Sequence, residues 1–198
     1  VVYDISFGGA KLILNSTKDK SKLIEFNSKT TIKKSLNFNK KEENGITYVD
    51  IGEEGHFTII DLFNIEKQVS NLEIRLNPEI KTKLNLNYGA VDGILDLRNL
   101  NIEKLSIDSG ATQTQIYLGA YPTSIDIDTG ASDMKFYFPE NIAIEIENNG
   151  GASSTDFENF KKVGNKYYSP DYEQFEEKII IEIDSGVSSI FGEVIKNE

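Results

Sequence analysis

Three stretches decide how this sequence reads: LNLNYGAVDGILDL at 84–97, SIDSGATQTQIYLG at 106–119 and DIDTGASDMKFYFP at 126–139. Aligned on their Gly-Ala pairs, they place glycines at Gly89, Gly110 and Gly130, spaced 21 and 20 residues apart. A fourth copy, IENNGGASSTDF at 146–157, sets Gly151 another 21 residues on. A fifth, EIDSGVSSIFGEV at 182–194, sets Gly186 35 residues later. Upstream, SFGGAKLIL at 6–14 carries the same Gly-Ala followed by alternating apolar residues. A fixed period near twenty residues marks a repeat architecture, in which one supersecondary unit buries its apolar face only against its neighbours.

Within each copy the apolar residues alternate. Leu105 and Ile107 precede the second glycine, and Ile125 and Ile127 precede the third. After the glycine, Leu95 and Leu97, Ile116 and Leu118, and Phe136 and Phe138 occupy matching places. Period-two runs are half-buried strands. The Gly-Ala step between them reads as a tight corner, where glycine supplies a backbone conformation that a Cβ hinders. Parallel stacking of strand–corner–strand units about 4.8 Å apart places Leu95, Ile116 and Phe136 in one buried column and Leu97, Leu118 and Phe138 in the next. The fold expected is an all-β solenoid.

The rest of the chain is read around that core. Residues 1–82 are expected to form irregular first coils and a cap, 83–158 the regular repeats, 159–176 an insertion and 177–198 the last coil, all in one domain. A separate N-terminal β domain is the competing reading. In the first part, Lys22–Phe26, Ser35–Asn39, Thr47–Ile51 and His56–Leu62 look like strands, and Ile65–Ser70 like one short helical turn.

Composition removes most activities. The 198 residues carry 32 Asp+Glu against 21 Lys+Arg, a net charge of −11 that disfavours sequence-independent contact with nucleic acid phosphates. No cysteine is present, which excludes disulfides, thiolate metal sites and cysteine nucleophiles. A single histidine, His56, nominates no base, because nothing near it in sequence supplies a nucleophile. The serines at Ser153, Ser154, Ser188 and Ser189 lack the G-x-S-x-G setting of a nucleophile elbow. No catalytic residue, cofactor or metal is expected. Lysine outnumbers arginine heavily (only Arg75 and Arg98 are present), as AT-rich codons produce, which points to a low-GC bacterium. The chain opens on Val1, so an upstream signal, lipid anchor or membrane helix is expected to have been removed.

Three features compete as contact sites. Asn87, Asp108, Asp128, Asn149 and Asp184 each stand two residues before a corner glycine. A calcium ladder is one reading, since stacked carboxylates supply the oxygen ligands that Ca²⁺ takes; the preferred one is turn residues bonding their own backbone. The segment 16–41 carries eight lysines and reads either as a dock for anionic lipid or wall polymer or as edge protection by lysine. The insertion 159–175 holds Phe160, Tyr167, Tyr168, Tyr172 and Phe175. These either form an exposed interaction loop, a role that amphipathic tyrosine suits, or fold back over the end or flank of the stack.

The Gly-Ala spacing, the step Leu76-Asn77-Pro78 and the run Leu84–Gly119 resemble the bacterial toast-rack β-solenoid family. That family includes adhesin-type domains and the C-terminal domain of LiaF-type cell-envelope stress proteins. GGAKLIL near the N-terminus and LIEFN at 23–27 are similar to its N-terminal region. The resemblance implies a right-handed, single-stranded β-helix-like stack, an envelope or extracellular setting and no catalytic residues. On it rests the expected function: a non-enzymatic structural or interaction module of the bacterial cell envelope, adhesin-like or stress-related. It would contact a protein partner or a cell-wall polymer. A carbohydrate-binding or carbohydrate-active β-helix protein is the alternative from another class.

Overall fold

The computed structural model describes residues 1–29, 35–54 and 70–196. Its strands are β1 (Val2–Ser16), β2 (Ile24–Lys29), β3 (Ser35–Glu43), β4 (Ile46–Glu54), β5 (Ser70–Leu76), β6 (Thr82–Asp96), β7 (Ile102–Tyr117), β8 (Thr123–Pro139), β9 (Ala143–Asn148), β10 (Ala152–Phe157), β11 (Lys161–Val163), β12 (Lys166–Tyr168) and β13 (Lys178–Ile195). Among the described residues a 3₁₀ turn, Tyr172–Gln174, interrupts them. All thirteen strands belong to one continuous sheet, so the all-β solenoid expected from the repeats is the fold.

The long strands β1, β6, β7, β8 and β13 pair side by side in parallel in that order. Each bends once, at its glycine. Cross-strand partners run up to Tyr88–Ser109 and resume at Ala90–Ala111. The in–out alternation slips at the same place: Tyr88 and Val91 are both buried while Gly89 and Ala90 both face out. That two-residue outward step turns the second arm so that both arms aim their apolar sides at the same interior. Registered columns fill it. Ile5, Leu86, Ile107, Ile127 and Ile183 lie opposite one another in the first arm. Leu14, Leu95, Ile116 and Phe136 do so in the second, and all of these are buried. Each such side chain contributes about 1.5–3 kcal/mol by leaving water. The column through Leu95 follows the expected pairing, and Leu97, Leu118 and Phe138 beyond it are all buried.

The order of the rungs departs from the chain order expected. β13 lies between β8 and the half-strands β9 and β10. The fifth repeat therefore fills the rung between the third and the fourth, and 177–198 is not the outermost coil. There β13 has ladder partners on both flanks, and its inward side chains Ile179, Ile181, Ile183 and Ile190 are all buried. β1 likewise belongs to the regular stack rather than to an irregular prelude, pairing with β6 from Val2–Lys83 to Leu14–Leu95.

Both ends carry antiparallel strands. At one, β4 and β5 share the outer flank of β1, with β3 on β4 and β2 on β5. Asn77 locks this end: its Nδ2 donates to the carbonyls of Lys20 at 2.7 Å and Lys22 at 2.8 Å. At the other, β12 and then β11 add to β9. The strand reading at His56–Leu62 and residues 65–69 of the helical-turn reading lie outside the described residues.

Candidate interaction surface

The five corner glycines stack with Gly8 in one ladder, and the reason is contact rather than torsion. A Cβ on Gly89 would lie 2.5 Å from the carbonyl oxygen of Gly8; on Gly110, 2.7 Å from that of Gly89; on Gly130, 2.7 Å from that of Gly110. On Gly186 it would lie 2.6 Å from the Gly130 oxygen, and on Gly151 3.2 Å from the Gly186 oxygen. None of the five has a left-handed backbone; the positive-φ glycines described are Gly45 and Gly164. The conformational reason expected for these glycines is thus replaced by the close approach of the neighbouring rung.

The ladder is a ridge between two outward faces. On the arm before the glycine, side chains at alternate positions form two acidic columns: Asp4, Asn85, Ser106, Asp126 and Glu182, and Ser6, Asn87, Asp108, Asp128 and Asp184. They line a shallow groove of about 410 Å³. Asn85 donates to Asp4 at 2.6 Å and Lys104 pairs with Asp126 at 2.6 Å. Asp108, Asp128 and Asp184 sit exposed on three consecutive rungs. Like charges one rung apart repel by about 1 kcal/mol in water.

These three aspartates are strand residues, so the turn reading preferred from sequence is corrected: their backbone is committed to the parallel ladder. Asn149 does sit outside the strands, and its side chain accepts from Asn165 at 2.7 Å. Among the described residues no group of three or more His, Cys, Asp or Glu side chains converges as metal ligands do.

The arm after the glycine is different. Gly9, Ala90, Ala111, Ala131 and Val187 run along the floor of an open trough of about 780 Å³. Nearer the rung ends, Tyr117 and Tyr137 stack with ring centroids 4.3 Å apart and planes 10° apart. The guanidinium of Arg98 lies 5.3 Å from the Tyr117 centroid. Arg98 also clamps Asp96 through Nε at 2.9 Å and a terminal nitrogen at 2.7 Å, which holds that carboxyl below its usual range.

The insertion folds back as a cap. Tyr167 is buried and meets Phe157 edge-on at 4.8 Å, and its hydroxyl pairs with that of Thr155 at 2.6 Å. Phe160 packs on Phe138 and Phe157. Tyr168 and Tyr172 meet edge-on at 4.9 Å, and Tyr168, Tyr172 and Phe175 are all half-buried. Of the two readings left open for these residues, the packing fits folding back over the end of the stack, with Tyr168, Tyr172 and Phe175 still partly exposed. Outside them, Glu145 accepts from Lys166 at 2.7 Å and from Tyr172 at 2.7 Å, holding its carboxyl below the ordinary value. Glu145 thus ties β9 to β12 and to the 3₁₀ turn, and no sequence pattern singled it out. A signal existed only in its pairing strand, because Tyr168 lies opposite it across the antiparallel β9–β12 register.

Four of the six described lysines of the 16–41 segment pair with acidic side chains. Lys20 pairs with Glu79 at 2.7 Å, Lys22 with Glu25 at 2.7 Å, Lys40 with Glu42 at 3.3 Å and Lys41 with Glu43 at 2.6 Å. Lys33, Lys34 and His56 lie outside the described residues. Among the described residues no helix is long and apolar enough to cross a membrane.

No curated protein matches the chain. A crystal structure of a candidate cell adhesion protein from Clostridium sporogenes ATCC 15579 superposes with a TM-score of 0.81 at 20% identity, covering 98% of this chain and 92% of that one. At that identity the likeness shows the fold. A candidate adhesin from Bacteroides fragilis NCTC 9343 aligns over 96% of this chain and 91% of that one, at 9% identity and a TM-score of 0.32, too low to carry an argument. The family model for the N-terminal domain of toast_rack (DUF2154) matches residues 1–137, from β1 into the aromatic end of β8. With more than half of its length inside that match, the chain belongs to the toast_rack family.

Proposed function

We propose that this protein is a non-enzymatic interaction module of the bacterial cell envelope, adhesin-like or part of an envelope-stress system, which presents its acidic face to a protein partner. One observation carries the reading: a parallel stack with a buried apolar interior holds exposed charged columns in fixed register, including three aspartates on consecutive rungs. Rung spacing near 4.8 Å cannot relax, so the like charges stay close until a cationic group neutralises them. An acidic face on a chain of net charge −11 repels anionic lipid and anionic wall polymer, and attracts a surface rich in lysine or arginine. The superposition on a candidate cell adhesion protein supports a surface role.

Co-sedimentation with isolated bacterial envelopes, before and after protease treatment, tests this. Saturable binding that protease abolishes and that weakens with salt is expected. Binding that survives protease, or equal binding to anionic liposomes, would overturn the protein-partner reading in favour of a glycan or lipid ligand.

A further inference from the structure

The two ends of the stack are closed unequally. At the β1 end both half-strands are covered, β4 by β3 and β5 by β2. At the other end β9 is covered by β12, but β10 pairs with β13 alone. Among the described residues, the backbone of Ala152–Asp156 has ladder partners on one side only, while the carbonyl of Phe157 accepts from the Phe160 amide at 3.2 Å.

An unpaired edge templates another strand unless charge or proline blocks it. The other terminal strands are blocked: β2 carries Glu25 and Lys29, β3 carries Lys40, Lys41, Glu42 and Glu43, and β11 carries Lys161 and Lys162. β10 reads Ala-Ser-Ser-Thr-Asp-Phe, with Asp156 its one charge. Ser153 and Thr155 are already tied inward, to Asn148 at 3.1 Å and Tyr167 at 2.6 Å.

We propose that β10 pairs with β10 of a second copy, antiparallel about a two-fold axis through Ser154. In that register Ser154 faces its mate, Ala152 faces Asp156 of the other chain, and no like charges lie opposite one another. The pairing is isologous and therefore closes; with the other end covered on both arms, assembly stops at two and yields a stack of doubled length. One short strand pair buries less than the roughly 800 Å² per partner of a standard stable interface, so the dimer is weak. Two chains of net charge −11 repel, so salt strengthens the association.

Sedimentation velocity over a wide concentration range, at low and high salt, tests the proposal. The mass is expected to rise from the 22.2 kDa of one chain toward twice that, more readily at high salt. Amides of 152–156 are expected to become protected from hydrogen exchange as concentration rises. Ser154→Lys abolishes the dimer by opposing two like charges at the axis. Gln113→Lys, an equal charge change on an exposed residue of the outer face, leaves it intact or slightly stronger. Thermal melting checks that both variants are folded. A mass that stays at one chain under every condition would overturn the proposal, as would Ser154→Lys and Gln113→Lys behaving alike.

Discussion

A Cβ placed on Gly130 would stand 2.7 Å from the carbonyl oxygen of Gly110 on the neighbouring rung. That distance is set by two backbones, and neither side has a flexible atom to move. Gly130→Ala therefore forces two rungs apart and is expected to cost more than about 2 kcal/mol. Gly151→Ala, where the nearest oxygen is at 3.2 Å, is expected to cost less than half as much. Urea unfolding of the two variants checks the order; equal midpoints would place the close approach elsewhere.

Gly192 makes the same argument inside the core. Its missing Cβ leaves room for the rings of Phe138 and Phe157, each 2.7 Å from where that atom would be. Gly192→Ala is expected to cost about 1–3 kcal/mol by overpacking, with near-ultraviolet dichroism reporting the displaced aromatic rings.

The cap over this end carries its own prediction. Phe157 contacts Phe138, Phe160 and Tyr167, so Phe157→Ala opens a cavity across β8, β10 and β12. A loss of about 3–5 kcal/mol is expected, with hydrogen exchange accelerated first in β9 and β12. Uniform acceleration through β6 and β7 would instead make the whole stack one cooperative unit.

How much of this was legible in the sequence follows from which contacts are periodic. Gly89, Gly110 and Gly130 recur at nearly constant spacing, so their columns and the burial of Ile116 and Phe136 could be read from alternation alone. The placement of Gly186 between Gly130 and Gly151 could not, because it depends on both flanks of β13 finding partners. Nor could the folding back of Tyr167, whose burial depends on Phe157 and Thr155 arriving from another strand. Glycine was recognisable at the corners, but its cause lies in a neighbouring carbonyl that only the stacked rungs reveal. For the same reason Asp108 and Asp128 looked like turn residues: spacing marked their distance from the bend without showing that the strand continues through it.

Acid should loosen the cap before the rungs. Bonding to Lys166, then to Tyr172, lowers the Glu145 carboxyl below its ordinary 4.5. A carboxyl depressed by folding stabilises the native state above its unfolded pKa, and that contribution fades as pH falls through the lower folded value. Stability is expected to drop with pH below about 4.5, and Glu145→Gln to flatten that part of the profile. A profile unchanged by the substitution would remove Glu145 from the account of the cap.

On this reading the rigid acidic face makes the contact. Envelope binding by Asp108→Asn/Asp128→Asn/Asp184→Asn, compared with the unaltered chain at matched salt, tests it most directly. These side chains are exposed and point away from the interior, so the triple variant is expected to fold with equal or higher stability and to lose most of its binding. Full binding by a folded triple variant would contradict the account and move the contact to the alanine-floored face.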